Sequence, residues 1–418
     1  MEYILFDSKI WETLRPLTYT RPVCDIRVGI LTIQEKWNLW LGAKTSCQTA
    51  DYLREKYPMN LSEDMMFIDG SVIPNEDLVK EILSLQEDEK LVDKQNDFLI
   101  AARCSKRDYN QAKEILNQSK DLDKWTKENF LSAEKIAKLG GKSIEYKGQL
   151  DRITSFVSIF KKNGDEIKQD YKLITKGRKS APLNPTNRYL GEDIFIEEGA
   201  KIDFAILNAT DGPIYIGKDC TIMDNAVIRG PFAMGEHSVI KMSAKIYGPV
   251  TLGPYCKVGG EVSDVVFFGY SNKAHDGYFG DSVIGTWCNV GADSNTSNLK
   301  NTYDEIKLWS EEHSTFEPTG ETFVGTIMAD HVKCGINTMF NTGTVIGVAS
   351  NVFGAGYQRN YIPSFVWGGT KGIRHDYDVE KAIEVAQAME KRRNITMSEV
   401  DKNILRHIYK ITRVHLDH

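Results

Sequence analysis

His275 is the side chain whose type and setting most invite chemistry. It stands in Lys273-Ala-His-Asp-Gly-Tyr-Phe-Gly-Asp281, at an interruption of an otherwise regular pattern. An imidazole, with an ordinary pKa of about 6.5, takes a proton from a reacting group near neutral pH. A second interruption, over roughly 293–321, carries Asn295, Asn298, Lys300, Lys307 and Trp309. Near the N-terminus, Leu14-Arg-Pro-Leu-Thr-Tyr-Thr-Arg-Pro-Val23 and the following Asp25-Ile-Arg27 bring Arg15, Arg21 and Arg27 together in sequence. Guanidinium groups clamp phosphate oxygens at two points. The two ends of the chain therefore offer different chemistry, proton transfer in one and phosphate binding in the other.

The pattern around His275 is a repeat. Stepping by six from Ile216 meets Ile222, Ile228, Met234, Ile240, Ile246, Leu252 and Val258, all aliphatic. Four residues after each stand Cys220, Ala226, Phe232, Ser238, Ala244, Val250, Cys256 and Val262. Gly-Pro at 212–213, 230–231 and 248–249 shows the longer period of 18. A second run reads Met328, Cys334, Phe340, Ile346 and Val352. An apolar period of six fits neither a helix nor one long strand. It fits short strands joined by tight turns around a narrow prism, a hexapeptide β-solenoid. Interruptions of such a scaffold are expected to be surface loops, where sites usually lie.

Composition supplies the boundaries. Of 33 glycines, 24 fall between Gly191 and Gly369 and eight precede Gly191. We expect a first domain over 1–180, a polar, proline-bearing linker over 181–190, the solenoid over 191–370 and a helical segment over 371–418. The 418 residues carry 52 Lys plus Arg and 58 Asp plus Glu, a net charge of −6 that suits small-molecule partners better than nucleic acid. Seven cysteines without a CxxC pair argue against a disulfide framework or zinc site. No apolar run is long enough to span a bilayer, and the charged N-terminal run does not read as a signal peptide. We expect a cytoplasmic protein.

The repeat, the stretch 273–281 and Asn289-Val-Gly-Ala292 together resemble the acetyltransferase half of the bifunctional N-acetylglucosamine-1-phosphate uridyltransferase / glucosamine-1-phosphate acetyltransferase family. The run 14–23, following the short strand Tyr3-Ile-Leu-Phe6, is similar to the Arg-x-Arg-Pro-Leu-Thr-x-Thr-Arg-Pro-Lys signature of sugar-nucleotide pyrophosphorylases. The wider match is to a divergent branch, sugar nucleotidyltransferases fused to a β-helix. The resemblance implies an α/β nucleotidyltransferase-like (Rossmann-like) domain, a left-handed parallel β-helix and C-terminal helices, assembled as a homotrimer. It implies acetyl transfer from acetyl-CoA to glucosamine 1-phosphate and uridylyl transfer from UTP, with Mg²⁺, giving UDP-N-acetylglucosamine.

By the same resemblance His275 is the catalytic base, and Tyr278, Asn289 and Asn298 contact the sugar phosphate. Ala292, Thr326 and Thr342 lie along coenzyme A, whose phosphates Arg359, Lys371 and Arg374 could meet. Arg15 acts at the reacting phosphate, Arg21 and Arg27 bind substrate phosphates, and Asp69 and Asp170 hold the metal. The chain also departs from the family. Residues 259–266 contain no Lys or Arg to grip the sugar phosphate, which leaves Arg229, Lys241 or Lys273 as substitutes. The glycine-rich loop after the first strand is replaced by Phe6-Asp-Ser-Lys-Ile-Trp11, whose backbone approaches phosphate less freely. Two further readings therefore stand beside the first. One is acylation of another sugar, with a silent N-terminal domain; the other is a noncatalytic trimeric scaffold.

Overall fold

The computed structural model describes residues 1–104, 141–370, 372–374 (backbone) and 377–413. They form two compact units. The first comprises 1–14, 20–26 and 31–155; the second comprises 15–19, 27–30 and 156–418.

The first unit is a six-stranded mixed sheet. Its strands are β1 (Glu2–Phe6), β2 (Thr45–Gln48), β3 (Met65–Asp69), β4 (Glu89–Asp93), β5 (Phe98–Cys104) and β6 (Lys142–Glu145), in the order β2-β1-β3-β5-β4-β6. β1 pairs in parallel with β2 and β3, whereas β5 runs antiparallel to β3 and β4. The Met-Met-Phe-Ile-Asp run of β3 is buried throughout, as a central strand covered on both faces requires. The short helix α1 (Ile10–Thr13) follows β1. Helix α2 (Ile33–Leu41) starts at a Thr32–Glu35 capping box and stops at Gly42, whose φ of 61° closes the helix in the left-handed conformation. Asn75 caps α3 (Glu76–Ser84). Because register is fixed, the carboxyl ends of β2, β1 and β3 stand level: Phe6 pairs with both Gln48 and Asp69.

The second unit holds helix α4 (Phe156–Thr175), a parallel β-solenoid and two C-terminal helices, α5 (Val379–Lys391) and α6 (Glu399–Arg413). This is the expected fold class. All eight aliphatic residues from Ile216 to Val258 point into one core. Successive coils pair in register eighteen residues apart, as in Thr221↔Val239↔Lys257 and Phe232↔Val250. Asp219, Asn225, His237, Ser243 and Tyr255, each just before a four-step position, take φ of 54–59°. Left-handed backbone turns the chain at a corner, and the small residue that follows fills the space inside it. All seven cysteines are free and buried.

The two interruptions differ from expectation and from each other. The first is not a loop. Strands Glu261–Gly269 and Tyr278–Thr286 run for nine residues each and pair from Glu261↔Tyr278 to Gly269↔Thr286. The coils there are shortened: Lys257 pairs with Asn272, fifteen residues on, and Asn272 pairs with Asn289. The hexapeptide phase is lost because a corner lost residues. Asp264 and Asp281, at φ of 55° and 46°, make that corner in mid-strand. The second interruption is a true insertion, holding an antiparallel hairpin of Lys307–Ser310 with Thr315–Pro318.

Candidate functional site

His275 lies on the turn between the strands Asn272–Lys273 and Tyr278–Thr286. Its ring is exposed. Two features hold the turn. Gly277 has φ of +115°, and a Cβ there would lie 2.1 Å from the Ser294 carbonyl oxygen, so this position requires glycine. Lys273 is only 1% exposed, and its Nζ donates to the carbonyls of Gly259 (3.0 Å) and His275 (2.7 Å). Burial pushes its pKa down to about 8. Lys273 therefore braces the histidine turn from inside, and the structure removes it from the substitutes for phosphate binding. Arg229 is ion-paired with Asp211.

Beside this turn Tyr278 and Asn298 come together. Asn298 Nδ2 donates to Tyr278 Oη at 3.0 Å and to Asp281 Oδ2 at 2.7 Å. Ser263 Oγ lies 3.4 Å from Tyr278 Oη. Asn295 Oδ1 accepts the Tyr278 backbone N–H at 2.7 Å. The stacked corner carboxylates Asp264 and Asp281 complete the cluster. Burial first, and then the charge of Asp281, pushes Asp264 up to about 6; Lys161 opposes this. Burial also raises Asp281, against its bond from Asn298. A carboxyl that titrates near neutrality can exchange protons with substrate. The sequence reading missed both carboxylates. Their only signal was the position where the six-residue phase failed.

The other solenoid residues are more dispersed. Asn289 lies on a different sheet of the prism, paired with Asn272 and Lys333. Ala292 is half-buried, and its carbonyl accepts the Asn337 N–H at 2.8 Å. Thr326 is buried, with its hydroxyl 2.7 Å from that of Thr296. The Thr342 carbonyl accepts from Asn360 Nδ2 at 2.6 Å. Lys371 and the Arg374 side chain lie outside the described residues.

In the first unit the carboxyl edge of the sheet gathers Asp7, Gln48 and Asp69, all buried. Open α/β sheets bind ligands at this edge. Asp69 Oδ1 accepts the Ser71 N–H at 2.8 Å; its Oδ2, beside the Ser8 hydroxyl, has no well-formed hydrogen bond among the described residues. Asp7 accepts from Val23 N–H (2.8 Å) and Thr49 Oγ1 (2.6 Å). Burial pushes it up to about 7, with the Asp69 charge adding to the shift. Gln48 is 2% exposed, and its amide has no hydrogen-bond partner among the described residues. Asp7 and Gln48 were not anticipated. The signal for Asp7 was a carboxylate directly after an apolar strand.

The arginines are tied to protein groups. Arg21 Nη1 meets Asp25 Oδ2 at 3.4 Å, and Tyr57 Oη donates to the same oxygen at 3.0 Å. In the second unit Arg15 lies over the Tyr19 ring, 5.7 Å from its centroid, and its charge opposes the burial that raises Glu311. Arg27 there donates to the carbonyls of Phe268 (3.3 Å) and Ile30. Asp170 Oδ2 accepts the Ile30 N–H at 2.8 Å, a structural bond. Among the described residues no group of three His, Cys, Asp or Glu is arranged to hold a metal ion.

No helix among the described residues is long and apolar enough to cross a membrane. No curated protein matches the chain. Similar solved structures include a UDP-N-acetylglucosamine acyltransferase from Arabidopsis, at 15% identity over 53% of this chain and 77% of that one, with a TM-score of 0.24. The Campylobacter jejuni UDP-N-acetylglucosamine acyltransferase is similar at 13% identity over 54% and 95%, with a TM-score of 0.24. A mutant of AntD, an N-acyltransferase from Bacillus cereus in complex with dTDP and coenzyme A, follows at 12% over 50% and 92%, with a TM-score of 0.21. In the N-terminal part of the chain, residues 3–179 match the model of a family described as sugar nucleotidyl transferase.

Proposed function

We propose that this chain is a two-site transferase of nucleotide-sugar synthesis. Its solenoid moves acetyl from acetyl-CoA to the amine of glucosamine 1-phosphate. Its N-terminal unit moves uridylyl from UTP to the resulting N-acetylglucosamine 1-phosphate, releasing pyrophosphate. It works as a cytoplasmic homotrimer. The observation that carries the acyl-transfer reading is His275 on a turn braced by Lys273 and Gly277, next to the hydrogen-bonded Tyr278–Asn298 pair.

In the acyl step the amine nitrogen attacks the thioester carbonyl. The C–N bond forms, and the C–S bond breaks as the tetrahedral adduct collapses. His275 takes the proton that the amine sheds and returns it to the leaving thiolate. Tyr278 and Asn298 orient the sugar. For the nucleotidyl step, the orphan Oδ2 of Asp69 beside Asp7 suits a hard divalent cation, which shares carboxylates with substrate phosphates. Mg²⁺ bound there would neutralise phosphate charge. Asp170 does not fit that role, because its carboxylate holds the Ile30 backbone.

One observation favours a second reading, in which the first unit is catalytically silent. Arg21, which lies in that unit, is committed to Asp25. The deciding experiment incubates the full chain with glucosamine 1-phosphate, acetyl-CoA, UTP and Mg²⁺ and follows products by mass spectrometry. UDP-N-acetylglucosamine supports both sites. N-acetylglucosamine 1-phosphate alone supports the silent first unit. Neither product refutes the assignment of substrates.

A further inference from the structure

A cavity of about 470 Å³ lies within the second unit, between the solenoid and the C-terminal end of α5. Its floor is a column of outward residues on four successive coils: Lys257, Asn272, Asn289 and Lys333. Arg392 and Arg393 close it from above. The rings of Tyr270 and Trp287, stacked on each other at 4.4 Å, form one wall.

Every charged residue lining this cavity is a cation. Arg393 Nη2 is fixed by Asn272 Oδ1 at 3.2 Å. The crowding is felt: burial depresses the Lys257 pKa, and Arg393, Lys241 and Arg392 depress it further. An anion would relieve that repulsion, and a cavity of this size suits a small metabolite. Ala274, the residue before His275, lines the same cavity.

We propose that this cavity seats the phosphate of the acceptor sugar, with Arg392, Arg393 and Lys257 as its cation set. The arginines at the end of α5 would then stand in for the basic residue missing from 259–266, and they would select a phosphorylated acceptor over a neutral one. This deepens the acyl-transfer reading and rests on it for the identity of the ligand.

The test is calorimetric titration of the full chain with inorganic pyrophosphate. We expect the Arg392→Gln/Arg393→Gln double variant to lose one bound pyrophosphate per chain, or to bind it about 100-fold more weakly, since each charged hydrogen bond accounts for about tenfold or more. Any site elsewhere is common to both proteins. Lys391→Gln, an exposed change on the same helix, keeps wild-type binding. Unchanged binding in the double variant, or an equal loss in Lys391→Gln, overturns the proposal. Circular dichroism checks that the variants fold, and Lys257→Gln repeats the test from the solenoid side should the arginine variant unfold. In the acetyl-transfer assay the double variant raises KM for glucosamine 1-phosphate and leaves kcat near wild type. His275→Ala keeps pyrophosphate binding. If His275→Ala also keeps acetyl transfer, the functional reading fails while the anion site stands.

Discussion

Lys273 offers the sharpest test of how the histidine turn is held. Replacing it with Met keeps the unbranched stem and removes the charge. A lysine depressed from 10.5 to about 8 carries a burial penalty of about 3 kcal/mol at neutral pH. Against this, Met leaves the Gly259 and His275 carbonyls without their donor, at about 1–3 kcal/mol for each that stays dry. The two effects oppose, so the net stability at pH 7.5 changes little. Their pH dependence separates them. The folded pKa lies below the unfolded one, so between about 8 and 10.5 the unfolded chain holds the extra proton. Wild-type stability attributable to Lys273 is therefore complete above that window and lost as pH falls through it. Urea unfolding of both proteins should show wild type gaining about 2 kcal/mol on Lys273→Met between pH 7.5 and 9.5. In the acetyl-transfer assay the variant should fall at least about tenfold in kcat, because a shift of an ångström in a reacting group is enough to do so. A flat stability difference would refute the buried, depressed lysine. An unchanged kcat would refute its role in positioning His275.

Further predictions follow from the same geometry. His275→Ala should abolish acetyl transfer with an unchanged melting curve, measured by coenzyme A release. Asn298→Ala should weaken acceptor binding and raise the apparent pKa of the Asp281 carboxyl, which loses a stabilising donor; carbon-detected NMR titration reads this directly. Ile240→Ala empties a fully buried position in the solenoid core and should cost about 2–5 kcal/mol in urea unfolding. Asn163→Ala removes the acceptor for the buried Gly29 N–H and should cost about 1–3 kcal/mol.

The solenoid was legible because each coil repeats the same demand, an aliphatic residue inside and a small one beside the corner. From Ile216 to Val258 the inward position is aliphatic without exception, and of the corner positions only Phe232 is large. The site was less legible, because it sits where coil length changes. Val258 points inward, and Lys273 is its register partner. Only the fifteen-residue coil puts a lysine at that inward place; an eighteen-residue count assigns it elsewhere. Asp264 and Asp281 escaped for the same reason, as corner residues inside what the pattern presented as a loop. Tyr278 and Asn298 were anticipated from resemblance, but no spacing rule could bring residues twenty apart to one hydroxyl across an insertion. The three N-terminal arginines were visible as types. Asp25, the partner of Arg21, lies only four residues on, whereas the Phe268 carbonyl that Arg27 meets is 241 residues away and no local motif contains it.

The capture of Gly29 has a consequence for how the chain is made. Its N–H is held by Asn163 and its carbonyl by Thr251, 222 residues further on. At ribosomal rates of about 5–20 residues per second, the glycine waits about 10–45 s for that second partner to be synthesised. Within that interval Asn163 and Asp170 become available to the loop 27–30, while the Gly29 carbonyl still lacks its Thr251 donor. A fragment ending at residue 190 keeps Asn163 but never gains Thr251, so the Gly29 carbonyl would wait indefinitely for that donor, and this contact is better probed by substitution than by truncation.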